Sequence, residues 1–167
     1  YFDDYGLIPT DLDGNKLWEH RFATSTGNLF SYGASPIIED GKILLNRDGA
    51  LDSCLVYFDL KTGKLFWKAK RPGVINSYCS PYVLNSDTGK QVLQGGSGEL
   101  VAYDFETGKE IWKATGLPGF VCVSPLSVGN TVYYGGWSTA HVAGRSRISS
   151  FFPEENELTA ESLESAE

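Results

Sequence analysis

The chain has 167 residues, of which 41% are hydrophobic, 13% aromatic and 21% charged, and nineteen are glycine. That length suffices for one domain with its own core, and the glycine and aromatic content favours short strands joined by tight turns. The net charge of −7 argues against nucleic acid or an anionic membrane as partner, and no apolar run approaches the roughly 18–20 residues that cross a bilayer.

The chain contains no methionine, even at position 1, which indicates a processed chain or a piece of a longer protein, and the second is favoured. Its first residues show no basic segment followed by an apolar one, and no signal peptide is visible. Cys54, Cys79 and Cys122 lack CxxC spacing, which argues against a zinc site and allows at most one disulfide. We expect buried free thiols.

One pattern occurs three times along the chain, as DLDGNKLW at residues 11–18, DLKTGKLFW at 59–67 and DFETGKEIW at 104–112. A Ser-Pro pair recurs between these segments at positions 35–36, 80–81 and 124–125. The two markers keep one period of roughly 45 residues, which is the length of a single structural repeat.

Each repeat is predicted to contain four short strands. In the copy that follows Ser80-Pro81 they are PYVLN (81–85), KQVLQ (90–94), LVAYD (100–104), which runs into the Thr-Gly turn, and KEIWKA (109–114), which carries the tryptophan. Four consecutive short strands with tight turns form an antiparallel meander.

The repeated turn has its own chemistry. Asp59 and Asp104 close a strand and are predicted to accept backbone N–H groups of the turn. Gly63 and Gly108 are predicted to supply the positive φ that the hairpin requires. A metal-ligand role for the two aspartates is the alternative, and the turn role is favoured.

A lone four-stranded sheet would leave two apolar faces in water, and stacking such sheets around an axis buries both. Trp18, Trp67 and Trp112 occupy the same place in each unit, on the outermost strand, where the ring can cover the neighbouring blade and its glycine turn. We therefore predict an all-β fold, a partial β-propeller of about three four-stranded antiparallel blades with a non-propeller acidic tail.

The repeats divide the chain in two. Residues 1–137 form the arc of blades (5–23 a half blade, 34–70 and 79–114 whole blades, 124–136 a half blade), and residues 138–167 form an irregular segment and an acidic linker or the start of a helix. Such an open arc exposes apolar faces at both ends. We therefore expect the remaining blades of the same propeller, or self-association with another copy, to cover them.

The segment AYDFETGKEIW (102–112) resembles the PQQ-like propeller repeat, whose signature runs from A-x-D through T-G-K to a tryptophan. The middle copy has Tyr57 in place of alanine, and the first copy is one residue shorter and lacks threonine. The resemblance covers residues 5–137. It implies a quinoprotein-like propeller, similar to BamB-type scaffolding lipoproteins and other exported bacterial proteins, hence a periplasmic or otherwise exported location. The same class includes quinoprotein alcohol and sugar dehydrogenases, so function stays open.

Several segments resemble catalytic or metal motifs but fail at required places. GGSGE at 95–99 is neither a nucleophile elbow nor a phosphate loop, and is interpreted as a tight hairpin turn. The stretch beginning at Asp11 resembles a calcium loop, but Lys16 stands where glycine is required. His20 is expected on an outer strand in solvent. His141 has no recognisable nucleophile nearby, and we predict no catalytic and no metal-binding residues.

No cofactor is predicted, and PQQ with calcium enters only under the dehydrogenase alternative. The cofactor-binding members of the class that the chain resembles often carry adjacent cysteines, which are absent here. The leading hypothesis is a non-catalytic protein-binding or scaffolding surface on the loops around the channel mouth. The candidate residues of that surface are Tyr32, Arg47, Asn76, Tyr78, Phe120, Trp137, His141 and Arg145.

Overall fold

A computed structural model describes residues 1–2, 5–22, 33–49, 52–74, 77–129 and 131–136. These ranges contain twelve β-strands and no helix. The strands are β1 (Gly6–Leu7), β2 (His20–Arg21), β3 (Ile37–Glu39), β4 (Lys42–Arg47), β5 (Cys54–Asp59), β6 (Leu65–Lys70), β7 (Tyr82–Ser86), β8 (Gly89–Gly96), β9 (Glu99–Asp104), β10 (Glu110–Thr115), β11 (Leu126–Val128) and β12 (Thr131–Tyr133). The acidic segment predicted at 138–167 lies outside the described residues.

The strands form four antiparallel sheets in sequence order. We name them half-blade I (β1, β2), blade II (β3–β6), blade III (β7–β10) and half-blade IV (β11, β12). In both complete blades each strand pairs with the one before it, which is the predicted meander. The prediction of an all-β partial propeller is confirmed for the described part of the chain.

Blade II is buried on both faces because side chains alternate along its strands. Ile43 and Leu45 of β4 share a buried cluster with Leu7 of half-blade I. Leu44, between them, belongs to a different cluster with Val92 of blade III. A strand covered on both sides in this way is apolar at nearly every position, as ILLN and CLVYF are.

The repeated aspartate organises the turn between the third and fourth strands. Asp59 Oδ1 accepts hydrogen bonds from the Thr62 amide at 2.7 Å and the Thr62 hydroxyl at 2.7 Å. Asp104 makes the same pair of bonds with Thr107, at 2.8 and 2.6 Å. These bonds favour the carboxylate and lower the pKa of both aspartates.

A tryptophan of one sheet lies on the glycine turn of the next. The indole nitrogen of Trp18, which precedes β2, donates to the Leu60 carbonyl at 2.8 Å, and that of Trp67 donates to the Phe105 carbonyl at 3.1 Å. Gly63 has a φ of 69°, and a Cβ atom built on it would lie 2.7 Å from Trp18 Cδ2. Glycine is therefore required there by both the backbone and the ring.

The second interface repeats the arrangement. Gly108 has a φ of 68°, and a Cβ atom on it would lie 2.5 Å from Trp67 Cδ2. Trp112, in the last complete blade, instead donates to Gln91 Oε1 of its own blade at 2.9 Å. The indole contact between sheets thus occurs at both interfaces that blade II makes.

Replacing Trp67 with alanine removes an indole, its hydrogen bond and its contact with Gly108. We expect the free energy of unfolding of the full-length protein to fall by on the order of 3 kcal/mol, measured by chemical denaturation. Phe66 is the matched control, because it is the adjacent aromatic on the same strand and is 46% exposed. Phe66→Ala should cost about 1 kcal/mol or less, and equal losses in the two variants would contradict the account.

Candidate functional site: the channel-mouth rim

The connections between the second and third strands of a blade lie on the same rim of the arc as the connections from one sheet to the next. We define the rim by its described residues within 48–53, 71–81, 97–98 and 116–125. Asp48, after the second strand of blade II, forms a β-bridge with Ser77 in the connection from blade II to blade III. In blade III, Leu117 of the connection to half-blade IV donates its amide to Gly98 O at 3.0 Å. Both blades therefore place these connections on the same side, next to the first strands.

The two connections between sheets also touch each other. The Tyr78 amide donates to the Val121 carbonyl at 2.9 Å, so Tyr78 and Phe120 lie on neighbouring segments. Both side chains are half-buried. The Tyr78 ring contacts Gly33, where a Cβ atom would lie 2.9 Å from Cδ1, and burial raises the pKa of its hydroxyl. An aromatic ring is thus held at the rim while part of it still reaches solvent.

Arg47 lies in a different environment from Tyr78. It is 4% exposed, and its guanidinium carbon lies 4.0 Å from the centroid of the Phe22 ring, on the side of half-blade I. The expectation that His20 lies in solvent is wrong, because its ring packs 4.6 Å from that of Phe58. Burial, together with the charge of Arg47, lowers the pKa of His20. The other candidate rim residues, Tyr32, Asn76, Trp137, His141 and Arg145, lie outside the described residues.

The Ser-Pro marker connects successive first strands. The Ser35 amide donates to the Ser80 hydroxyl oxygen at 3.2 Å, and the Ser80 amide donates to the Ser124 hydroxyl oxygen at 3.0 Å. The hydroxyl groups of Ser80 and Ser124 therefore each satisfy the backbone amide of the equivalent serine one sheet earlier. The sequence supplied the period of this marker but not its role, because a hydrogen bond across 45 residues leaves no local pattern.

A buried polar cluster that includes the rim residues Asp48 and Arg71 was not predicted. Arg71 Nε donates to Asp48 Oδ1 at 2.9 Å, and neither side chain is exposed to solvent. The guanidinium also donates to the Tyr103 hydroxyl at 2.8 Å and the Gly95 carbonyl at 3.2 Å, both in blade III. In the sequence, Arg71 follows Lys70 and resembles an ordinary surface cation, so only the packing of two blades distinguishes it.

Gly95 and Gly96 are explained by what lies on each side of them. A Cβ atom on Gly95 would overlap the Tyr134 hydroxyl of the following sheet, and one on Gly96 would lie 3.2 Å from Arg71 Nη2. Ser97 and Gly98 then close the hairpin with φ values of 47° and 81°. The interpretation of this segment as a tight hairpin turn is confirmed.

Groups suited to metal or covalent chemistry are dispersed. Among the described residues no three His, Cys, Asp or Glu side chains are arranged to hold a metal ion. The three cysteines are free thiols, and the expectation that they are buried is confirmed for Cys54 and Cys79 and wrong for Cys122, which is exposed. The carboxylate of Asp11 accepts the amides of Asp13 and Asn15 within its own turn. The described ranges contain no helix that could span a membrane.

Known proteins share this sequence pattern and architecture. Residues 55–146 match the sequence model of a family described as outer membrane protein assembly factor BamB. The quinohemoprotein alcohol dehydrogenase ADH-IIG of Pseudomonas putida is 29% identical over 144 residues, covering 75% of this chain and 19% of that enzyme. The crystal structure of BamB from Moraxella catarrhalis superimposes with a TM-score of 0.59 at 20% identity, covering 81% of this chain and 38% of that one. A europium-containing methanol dehydrogenase gives a TM-score of 0.48 at 25% identity, over 62% of this chain and 19% of that one.

The stacked meanders and their repeat define the class, a β-propeller of the quinoprotein-like, PQQ-repeat type. The chain belongs to the family described as outer membrane protein assembly factor BamB, since the match covers more than half of its residues. It spans only 19% of the length of the dehydrogenase and 38% of that of the BamB structure. Family membership therefore establishes the architecture. It does not establish the activity or the partners of the whole protein.

Gly95→Ala should be strongly destabilising, because the new methyl group would meet the Tyr134 hydroxyl. We expect a loss of about 2 kcal/mol or more, within the range found for overpacked cores, seen as a lower midpoint in chemical denaturation of the full-length protein. Gly135→Ala is the control, because a Cβ atom there has no neighbour within 4 Å among the described residues. If both variants unfold at the same denaturant concentration, the packing role assigned to Gly95 is wrong.

Proposed function

We propose that this chain is part of a non-catalytic scaffolding β-propeller in an exported bacterial envelope protein, with a protein partner on the channel-mouth rim. The observation that carries the proposal is the continuity of the rim across two sheets. The Tyr78 amide bonds Val121 in the next connection, and the Ser35–Ser80–Ser124 bonds hold the first strands in line behind it. A surface built on such a scaffold presents its aromatic residues in fixed positions, which lowers the entropic cost of binding.

The family supports a scaffolding role and an envelope location. Its description names an outer membrane assembly factor, and the matched residues 55–146 include the rim segments 71–81 and 116–125. Half-buried aromatic residues such as Tyr78 and Phe120 are the type of side chain enriched in protein interfaces. A nucleic-acid partner is disfavoured by the net charge of −7.

The exposed apolar face of half-blade IV supports the proposal that the arc is part of a larger propeller. Leu126, Val128 and Tyr133 of half-blade IV are 50%, 67% and 54% exposed. At the corresponding interface between blades II and III such faces are buried. We propose that further blades of the same protein cover this face, in keeping with the 38% of the BamB structure that the chain spans.

A second candidate is a segment of a PQQ-dependent dehydrogenase. It is favoured by the 29% identity to the alcohol dehydrogenase ADH-IIG over 75% of this chain. Under this alternative the full-length protein, supplied with PQQ and calcium, would oxidise alcohols or aldoses with a dye as electron acceptor. Dye reduction that requires PQQ would replace the scaffolding proposal, and its absence with correctly folded protein would remove the alternative.

Tyr78→Ala in the full-length protein tests the rim directly. We expect partner capture from envelope extracts to weaken at least roughly tenfold, because interface aromatics commonly contribute more than about 1.4 kcal/mol. Binding is measured by titration of the captured partner, and thermal unfolding verifies the fold. Phe66→Ala, an aromatic change on the outer strand β6, should bind normally. A folded Tyr78→Ala protein with unchanged affinity would rule out the rim as the binding surface.

A further inference from the structure

A pocket of about 160 Å³ lies between half-blade I and blade II. Its apolar wall is formed by Phe22, which follows β2, by Val56 and Phe58 of β5, and by Leu65 of β6. A cavity of about 150 Å³ with apolar walls is large enough to hold a benzene ring. The pocket therefore has room for one apolar group the size of a ring.

The charged side chains on the wall of this pocket are mostly cations. Among its described lining residues, Arg21, Arg47 and Lys68 carry positive charge and Asp52 is the one carboxylate. Asp52 bonds Lys68 at 2.7 Å, and Arg21 also bonds Glu19, which is not among those lining residues. The wall is therefore positive, although the net charge of the chain is −7. A concave surface of this sign attracts anions.

Arg47 is the least exposed of the three cations. It is 4% exposed, and its guanidinium carbon lies 4.0 Å from the centroid of the Phe22 ring, which restricts the guanidinium plane. A guanidinium can donate two parallel N–H groups to a carboxylate, and their attraction is stronger in a partly enclosed site than in open water. The apolar wall favours a carboxylate on an apolar body over phosphate, whose further oxygens need donors or water.

Two titratable groups on the wall carry no negative charge at neutral pH. Burial, together with the charge of Arg47, lowers the pKa of His20, whose ring lies 4.6 Å from that of Phe58. Cys54 stays a neutral thiol, because burial raises its pKa to about 11. Neither group offsets the cations, and His20 lies where it responds to any charge that enters the pocket.

We propose that this pocket binds a carboxylate carried on an apolar body no larger than one ring, with Arg47 holding the carboxylate and Phe22 and Phe58 contacting the body. The pocket lies between half-blade I and blade II, whereas Tyr78 lies in the connection between blades II and III. The site therefore does not depend on the rim proposal, and the failure of one leaves the other standing.

Benzoate is the probe, titrated calorimetrically into the purified full-length protein. We expect saturable binding with a Kd of about 1 mM or tighter, a strength ordinary for a ligand of this size. Benzamide has the same shape without the charge and should bind at least about tenfold more weakly, as should inorganic phosphate, which lacks the ring. Benzoate that binds no more tightly than benzamide would overturn the site.

Arg47→Gln should weaken benzoate binding at least about tenfold, because it removes the cation of the inner wall. Lys42→Gln is the matched control and should bind benzoate normally, because Lys42 lies at the other end of β4, over the Tyr57 ring. Lys68→Gln, a change at a partly exposed cation, should weaken binding about threefold and decides the matter if Arg47→Gln does not fold. Wild-type affinity in the folded variant would contradict the proposal.

The His20 imidazole gives a second reading in the wild-type protein. Saturating benzoate should raise the pKa of His20, followed by NMR, by about 0.5 or more, because a nearby negative charge favours the imidazolium, whereas benzamide should leave it unchanged. Partner capture repeated in benzoate identifies the natural source: capture persists if the carboxylate is a free ligand and is lost if it belongs to the partner. Benzoate binding that leaves the pKa of His20 unchanged would place benzoate elsewhere and overturn the assignment.

Discussion

The structure depends on burial of both faces of each four-stranded sheet. Alternation along β4 sends Ile43 and Leu45 to one neighbour and Leu44 to the other, so the inner strands of blade II are covered on both faces. Hydrophobic burial has no direction of its own. The spacing of the sheets is therefore set by specific contacts, of which the indole of Trp67 on the Gly108 turn is the clearest, since nothing larger than glycine fits beneath it.

Polar contacts then fix how neighbouring sheets are aligned. The bonds from Ser35 to Ser80 and from Ser80 to Ser124 align the first strands, and Arg71 links blade II to the carbonyl of Gly95. A buried charge needs a partner, and Asp48 provides one. The apolar faces hold the sheets together, while these polar contacts determine their relative position and so the shape of the rim.

The fold could be predicted from the sequence because the same strand and turn motif occurs three times along the chain. The period, the meander and the turn glycines at 63 and 108 all follow from local patterns. The rim was predicted less completely, since the burial of Arg47 and the half-burial of His20 depend on which neighbouring sheet covers them. The Asp48–Arg71 pair was missed because its members are 23 residues apart and meet only when two blades stack.

A double-mutant cycle between Trp67 and Gly108 tests the central claim most directly. Gly108→Ala is introduced into the wild type and into Trp67→Leu, and the free energies of unfolding of all four full-length proteins are measured. The strain of alanine at positive φ is common to both backgrounds, so the difference isolates the contact with the ring. We predict that Gly108→Ala costs at least about 1 kcal/mol less when the indole is gone. Equal costs in the two backgrounds would show that Trp67 does not lie on the neighbouring turn.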